Sequence, residues 1–327
     1  MSTVTNHSRY LSSHLDADRQ TYPVMRKRRL GNTGIAVGEI GVGTAALQAG
    51  GMSGLPDAEL RYTLSAALDM QASLIDVAST GGEDRPLRQF GFAMQRRRHQ
   101  AQVCLRVAGG PAEVRKRTET ALRALDTDHV DVLLWDHPAF KALAGQGGVW
   151  TLLEAMKKEG KARSLGASLD RPEELRAALE QTPAEVLQFP LNVFEQSNAA
   201  VLDAAAAKGL GLIAVKALDS GWLSGRFGAL HLFLDERRRW SMEDKSRRAA
   251  HQKAFEVITA KSGTTSAQAA LQFVLSFPQL SCAAVGVSAW QQVVGNVDAA
   301  SAAMDEAVVR QLRGLWAEAL AARPLGL

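Results

Sequence analysis

Ser73-Leu-Ile-Asp76-Val-Ala-Ser-Thr-Gly81-Gly-Glu-Asp-Arg85 is the stretch on which the fold turns. Ser73 to Ile75 reads as a short buried strand that delivers one carboxylate, Asp76, to the mouth of a loop of small residues and glycine. A helical pattern precedes it: Asp57 opens a run in which Leu60, Leu64, Ala67 and Leu68 share a face. Another helix is expected after it, over Glu83 to Arg97. Strand and helix alternate in both directions from there.

Upstream, Arg28 to Leu30, a turn at Gly31-Asn-Thr-Gly34 and Ile35 to Val37 read as a β-hairpin, with glycines where a positive φ is needed. A first strand, Glu39 to Val42, and a glycine-rich loop, Gly43 to Pro56, come next. Downstream, strands are expected at Val103 to Val107, Val130 to Trp135, Ser164 to Ser168, Val186 to Phe189, Leu212 to Lys216 and Cys282 to Val285. Helices fall between them, with Pro111 in a first turn that tolerates it and Gly160 at a stop. Asp219 to Arg248 breaks the rhythm as a lid-like insertion, before helical runs at Lys253 to Lys261 and Ser266 to Leu275. Helices at Ala289 to Ala302 and Met304 to Ala322 end the chain. Repeated strand–helix units with near-continuous apolar strands and no linker predict an α/β fold. That fold is a single (β/α)8 TIM barrel over residues 25–327, with an N-terminal β-hairpin and an extra C-terminal helix. A doubly wound sheet is excluded, because Gly41-Val-Gly43 lacks the third glycine of a phosphate turn and runs into a long loop.

Composition narrows the function classes. With 46% hydrophobic and 22% charged residues, the chain can bury a full core. The formal charge is +4, and the basic runs Arg26 to Arg29, Arg96 to Arg98 and Arg237 to Arg239 lie far apart without interleaved aromatics, so no nucleic-acid partner is expected. Cys104 and Cys282 each sit in an apolar run and read as buried thiols, which suits a cytoplasmic protein. No apolar run is long enough to span a membrane, and residues 1–24 read as a loose polar arm without the apolar core of a signal peptide, so no membrane partner is expected. His99, His129, His231 and His251 lack metal-ligand spacing, so no metal site is expected. Trp222, Trp240 and Trp290 read as shaping a pocket or as filling the outer layer, and the insertion around the first two favours the pocket.

Several motifs carry a resemblance. Arg29-Leu-Gly-Asn-Thr-Gly34 and Gly41-Val-Gly-Thr44, then Trp150 to Lys161 followed by Leu165-Gly-Ala-Ser168, resemble segments of the aldo-keto reductase superfamily. So do Val186-Leu-Gln188 through Asn192, Val215-Lys-Ala-Leu218 with Ser220 to Gly225, and Val285-Gly-Val-Ser288 through Gln292 and Asn296. The likeness covers about Met25 to Ala302. It implies an extended NADPH or NADH across the C-terminal face of the barrel and an Asp, Tyr, Lys, His catalytic set, the tyrosine donating a proton to a carbonyl as hydride arrives.

Matched residue by residue, only part of that set is kept. Asp76 holds the aspartate position, but Gly81 stands where the family has its tyrosine, and the tyrosines of the chain are Tyr10, Tyr22 and Tyr62. At the lysine position the match gives Val107 or, with a slip of one, Arg106, which keeps the charge but cannot give up a proton. Asp136 falls where histidine is expected, and His137 comes one residue late, a step that in a strand turns a side chain to the opposite face. Of the cofactor positions, Ser168 and Gln188 match the pair that holds the carboxamide, although Leu169 replaces an asparagine. Lys216, Leu218 and Gly221 match the loop that covers the cofactor; Ser288, Gln292 and Asn296 match the adenosine end, where Gly295 replaces an acidic residue.

Two functions stay open. One is an NAD(P)H-linked oxidoreductase acting on a small carbonyl, aldose or imine, with Asp136, His137 or water as proton source. The other is a repurposed barrel. That is either a dehydratase, lyase or isomerase using Asp76, Arg106 and Asp136, in which the two carboxylates form a coupled pair with one pKa raised, or a binding or regulatory protein without cofactor. Each site residue also has a structural alternative: Asp76 as a helix cap or a partner of Arg106, Asp76 and Asp136 together as two solvated loop-edge acids, and His137 before Pro138 as a turn residue.

Overall fold

A computed structural model describes residues 25–45, 56–79, 85–143 and 148–326. β1 (Lys27–Arg29) and β2 (Ala36–Gly38) pair as an antiparallel hairpin. The parallel strands β3 (Ile40–Gly43), β4 (Leu74–Ser79), β5 (Gln102–Val107), β6 (Val130–Asp136), β7 (Ala162–Ser168), β8 (Val186–Pro190), β9 (Gly211–Val215) and β10 (Cys282–Gly286) follow one another around a barrel that β10 closes onto β3. Outside it run α1 (Asp57–Asp69), α2 (Arg85–Met94), α3 (Pro111–Leu125), the single turn α4 (Phe140–Leu143), α5 (Val149–Lys158), α6 (Pro172–Gln181), α7 (Leu202–Ala207), α8 (Met242–Thr259), α9 (Ser266–Leu275), α10 (Trp290–Ala299) and α11 (Glu306–Ala319). The expected (β/α)8 barrel with a hairpin is the fold.

Alternation along the strands divides the core in two. Leu74, Cys104, Val132, Leu134, Val186, Ile213, Cys282 and Ala284 fill the barrel interior, and Leu30, Ile35 and Val37 of the hairpin pack into the same cluster. The hairpin therefore plugs one mouth. The intervening residues, among them Ile75, Val77, Leu105, Val107, Leu133, Trp135, Leu187 and Leu212, face outward into the layer beneath the helices. Close strand contact needs glycine in places: a Cβ on Gly166 would lie 1.9 Å from the Val186 carbonyl oxygen.

The same period of two carries the site. Two residues beyond the inward Leu74, Cys104, Leu134 and Val186 stand Asp76, Arg106, Asp136 and Gln188, so all four project into the open, C-terminal mouth.

Some local expectations change. Asp76 lies inside β4, three residues before its end at Ser79, rather than beyond a strand ending at Ile75. The helix expected from Lys253 begins at Met242, where Ser241 and Asp244 form a reciprocal capping box that a search for apolar periodicity passes over in so polar a segment. The helical stretch between β8 and β9 divides into a 3₁₀ turn, Ser197–Val201, and α7. Residues 1–24, Gly81 and most of the glycine-rich loop before Asp57 lie outside the described residues.

Candidate active site at the C-terminal mouth

Asp76 and Asp136 do not form a proton-sharing carboxylate pair. Arg106 stands between them, its Nε donating to Asp76 Oδ1 at 3.1 Å and its Nη1 to Asp136 Oδ1 at 3.3 Å. Gln188 Nε2 donates to the same Asp76 oxygen at 3.1 Å. Arg106 is the inward residue of its pair, and Val107 belongs to the outer core. The negative charge of Asp76 first, against the cost of burial, and then that of Asp136, hold the guanidinium firmly protonated. Burial alone would raise the Asp136 carboxyl, but the hydrogen bond from His137 and the charge of Arg106 outweigh it and bring the group below its ordinary range. The coupled pair with one raised pKa is therefore replaced by two acids bridged by Arg106, of which Asp136 is lowered.

His137 reaches this mouth through its backbone. Held at φ +43° immediately before Pro138, it leaves the strand path that would turn it to the outer layer. A left-handed residue with a Cβ costs about 1–3 kcal/mol and has to be held by its surroundings. Its amide donates to the Ser168 carbonyl at 3.0 Å, Nδ1 lies 2.9 Å from Asp136 Oδ1, and Nε2 lies 3.2 Å from Asp170 Oδ2. A ring with a carboxylate at each nitrogen is a double donor, an imidazolium. The hydrogen bonds to Asp136 and Asp170 push its pKa up to about 9.

Asp170, two residues beyond the end of β7, was not among the residues picked from the sequence. Its hydrogen bond with His137 chiefly, and then the charge of Lys216, hold it below the ordinary carboxylate range. Lys216 Nζ lies 3.9 Å from Asp170 Oδ1. The residues thus form one row of alternating charge, Asp76, Arg106, Asp136, His137, Asp170 and Lys216, drawn from β4, β5, β6 and the loops after β6, β7 and β9.

The loop after β9 is held in an uncommon shape. Lys216, Asp219 and Ser220 all have positive φ, and Gly221 follows at +89°. Each of the three is anchored: buried Asn192 donates from Nδ2 to the Lys216 carbonyl at 2.9 Å, Arg248 Nε to Asp219 Oδ2 at 2.8 Å, and Arg237 Nη1 to the Ser220 carbonyl at 2.9 Å. Trp222, expected to shape a pocket, is instead fully buried at the centre of a cluster with Phe227, Phe233 and Trp240. Trp290 packs edge-on to Tyr62 with centroids 5.6 Å apart.

The remaining positions line the same end of the barrel. Ser168 and Gln188 are register partners on β7 and β8, both buried. Across the mouth, the Ser288 amide donates to Gln292 Oε1 at 2.7 Å, and Gln292 and Asn296 lie one turn apart on α10. A Cβ placed on Gly286 or Gly295, on either side of Ser288, would meet nothing within 4 Å.

The family model described as the aldo/keto reductase family matches residues 39–317. The chain belongs to the aldo-keto reductase family. Two curated proteins of Bacillus subtilis are similar to it. One, the uncharacterized oxidoreductase YrpG, is 25% identical over 62% of this chain and 64% of its own length. The other, the aldo-keto reductase YhdN, is 26% identical over 53% and 55%. The chain thus spans less than two thirds of the length of these relatives. Among solved structures, a glycerol dehydrogenase from Gluconobacter oxydans superposes with a TM-score of 0.75 at 25% identity, covering 89% of this chain and 95% of that one. An aldo-keto reductase from Bacillus halodurans gives 0.74 at 20% identity over 89% and 96%, a likeness of fold. Within this aldo-keto reductase frame, no helix among the described residues is long and apolar enough to cross a membrane.

Proposed function

We propose that this aldo-keto reductase is an NAD(P)H-linked oxidoreductase that reduces a small carbonyl, aldose or imine, with His137 as its proton source. The observation that carries this reading is the His137 ring held between the carboxylates of Asp136 and Asp170 at the mouth where Asp76 and Arg106 converge. Reduction of a carbonyl adds one hydride to carbon and one proton to oxygen. Asp136 is too acidic to be protonated near neutral pH, and a guanidinium does not give up its proton. His137, with its pKa near 9, carries a proton throughout the neutral range and is half-exposed to the mouth. Asp76 and Arg106 fix the electrostatics around it.

The rim residues fit a dinucleotide in their donor chemistry. Ser168 and Gln188 place a hydroxyl and an amide side by side at the end of adjacent strands, and Ser288, Gln292 and Asn296 add a hydroxyl and two amides beyond β10 and on α10. On this reading Lys216, Leu218 and Gly221 hold the middle of the cofactor. A bound nicotinamide supplies the hydride. The substrate is a small molecule, and the protein works in the cytoplasm.

Titration of NADPH and of NADH into the purified protein, followed by the blue shift of nicotinamide fluorescence and by thermal stabilisation, tests the reading. Saturable binding of at least one is expected. No response at millimolar cofactor overturns it and leaves the barrel to non-redox chemistry or to a binding role.

A further inference from the structure

We propose that Asp170 is a positioning residue for His137, holding the imidazole ring turned over the mouth and fully protonated; the proposal rests on His137 being the proton source. Asp136 divides one oxygen, Oδ1, between the ring and Arg106. Asp170 gives Oδ2 to His137 Nε2 and faces Lys216 with Oδ1, at the longer distance of 3.9 Å. Its charge is therefore the one least shared with other cations in contact.

Asp170 is also built to stay in place. Its backbone N–H donates to Glu174 Oε2 at 3.1 Å, and its carbonyl accepts from Nδ2 of the buried Asn198 at 3.0 Å. With its backbone tied on both sides, Asp170 keeps its Cα in place beside the ring. It sets the direction in which Nε2–H points when no substrate is present. Transfer of that proton to a substrate oxygen requires the substrate to come between Nε2 and Asp170, so the carboxylate is the ground-state partner that the reacting oxygen replaces. The charged groups facing the ring system are Asp136 and Arg106 from the barrel strands, Asp170 from the loop after β7 and Lys216 from the loop after β9.

The test is the titration of His137 in the full chain, labelled at histidine and followed by NMR without cofactor or substrate, its resonance assigned by its loss in His137→Gln. Asp170→Asn keeps an oxygen for Nε2–H and removes the charge. The midpoint should then fall by about one pH unit or more, and Asp170→Glu should restore most of it. Lys216→Met, which removes the cation competing for Asp170, should leave the midpoint in place or raise it. In turnover, the alkaline limb of the pH profile of Asp170→Asn should move down with the NMR midpoint. An unchanged His137 midpoint in a folded Asp170→Asn protein, or a fall in Lys216→Met, overturns the proposal. Because the NMR reading needs no turnover, a shifted midpoint in a protein that reduces nothing sinks the proposed activity alone. An unshifted midpoint in an active protein sinks the role of Asp170 alone.

Discussion

Arg106 lies at the barrel mouth between Asp76 and Asp136 and neutralises both, so its loss is felt by two anions at once. Arg106→Met should destabilise the fold by about 3 kcal/mol in chemical denaturation, because it leaves carboxylates without their partner in a poorly hydrated site. Adding Asp76→Asn should recover part of that loss. His137 makes a second, pH-dependent expectation. Its folded pKa is raised, so its pairing stabilises the protein fully below the unfolded value of about 6.5 and fades as pH rises through about 9. The gap in melting temperature between wild type and His137→Gln should be widest on the acid side of neutrality and close above pH 9; a gap that widens with pH would show that the ring is held neutral. Asp76 and Asp136 were legible from the match to the family's motifs, whereas Arg106 stood beside Val107 as one of two readings until the inward period of the strand decided between them. His137 was only half legible, since nothing in Asp-His-Pro announces the left-handed backbone that turns it inward. Asp170 was not legible at all. It lies past a strand end, and its role comes from partners 33 and 46 positions away, the differences 170 − 137 and 216 − 170.

The loop from Lys216 to Gly221 is shaped by the elements around it rather than by its own preferences. Three residues with side chains sit in the left-handed region, each tied by a different buried or half-buried donor. Arg248, fully buried on α8, holds Asp219 and also donates to the carbonyls of Leu325 and Gly326. Its ring neighbour is Trp240, with the guanidinium carbon 4.0 Å from the centroid. Burial raises the Asp219 carboxyl while Arg248 opposes that rise, so the pair depends on both members. Arg248→Met should cost about 3–5 kcal/mol, and Asp219→Asn placed on top of it should restore much of the loss; additive losses in equilibrium unfolding would show that the two residues act independently. The apolar pattern reached only the part of α8 from Lys253 onward; the polar first half that carries this arginine has the Ser241 and Asp244 cap as its sequence signal. Strands were easier to place than this helix because their apolar runs are buried on both faces.

At the scale of the whole molecule, the barrel closes only if neighbouring strands approach at glycine. Gly166→Ala should cost about 4 kcal/mol or more, since the new Cβ would overlap the Val186 carbonyl and pry β7 from β8; near-normal unfolding of that variant would mean that the strands shift at little cost. Closure of the barrel was readable from repeated strand and helix patterns and the hairpin from its turn at Gly31 to Gly34, whereas the plugging of one mouth shows only in the packing of Leu30, Ile35 and Val37. The family's usual tyrosine is absent from the sequence position that Gly81 occupies, so the central claim is that a proton for reduction comes instead from the imidazolium at the open mouth. The most direct measurement is the rate of NADPH or NADH oxidation with a panel of small aldehydes, ketones, aldoses and cyclic imines, in wild type and His137→Gln, across pH. Turnover should be level through neutrality and fall above pH 9, with a loss of about 10²–10⁴-fold in His137→Gln. Equal rates in the two proteins at every pH would contradict it.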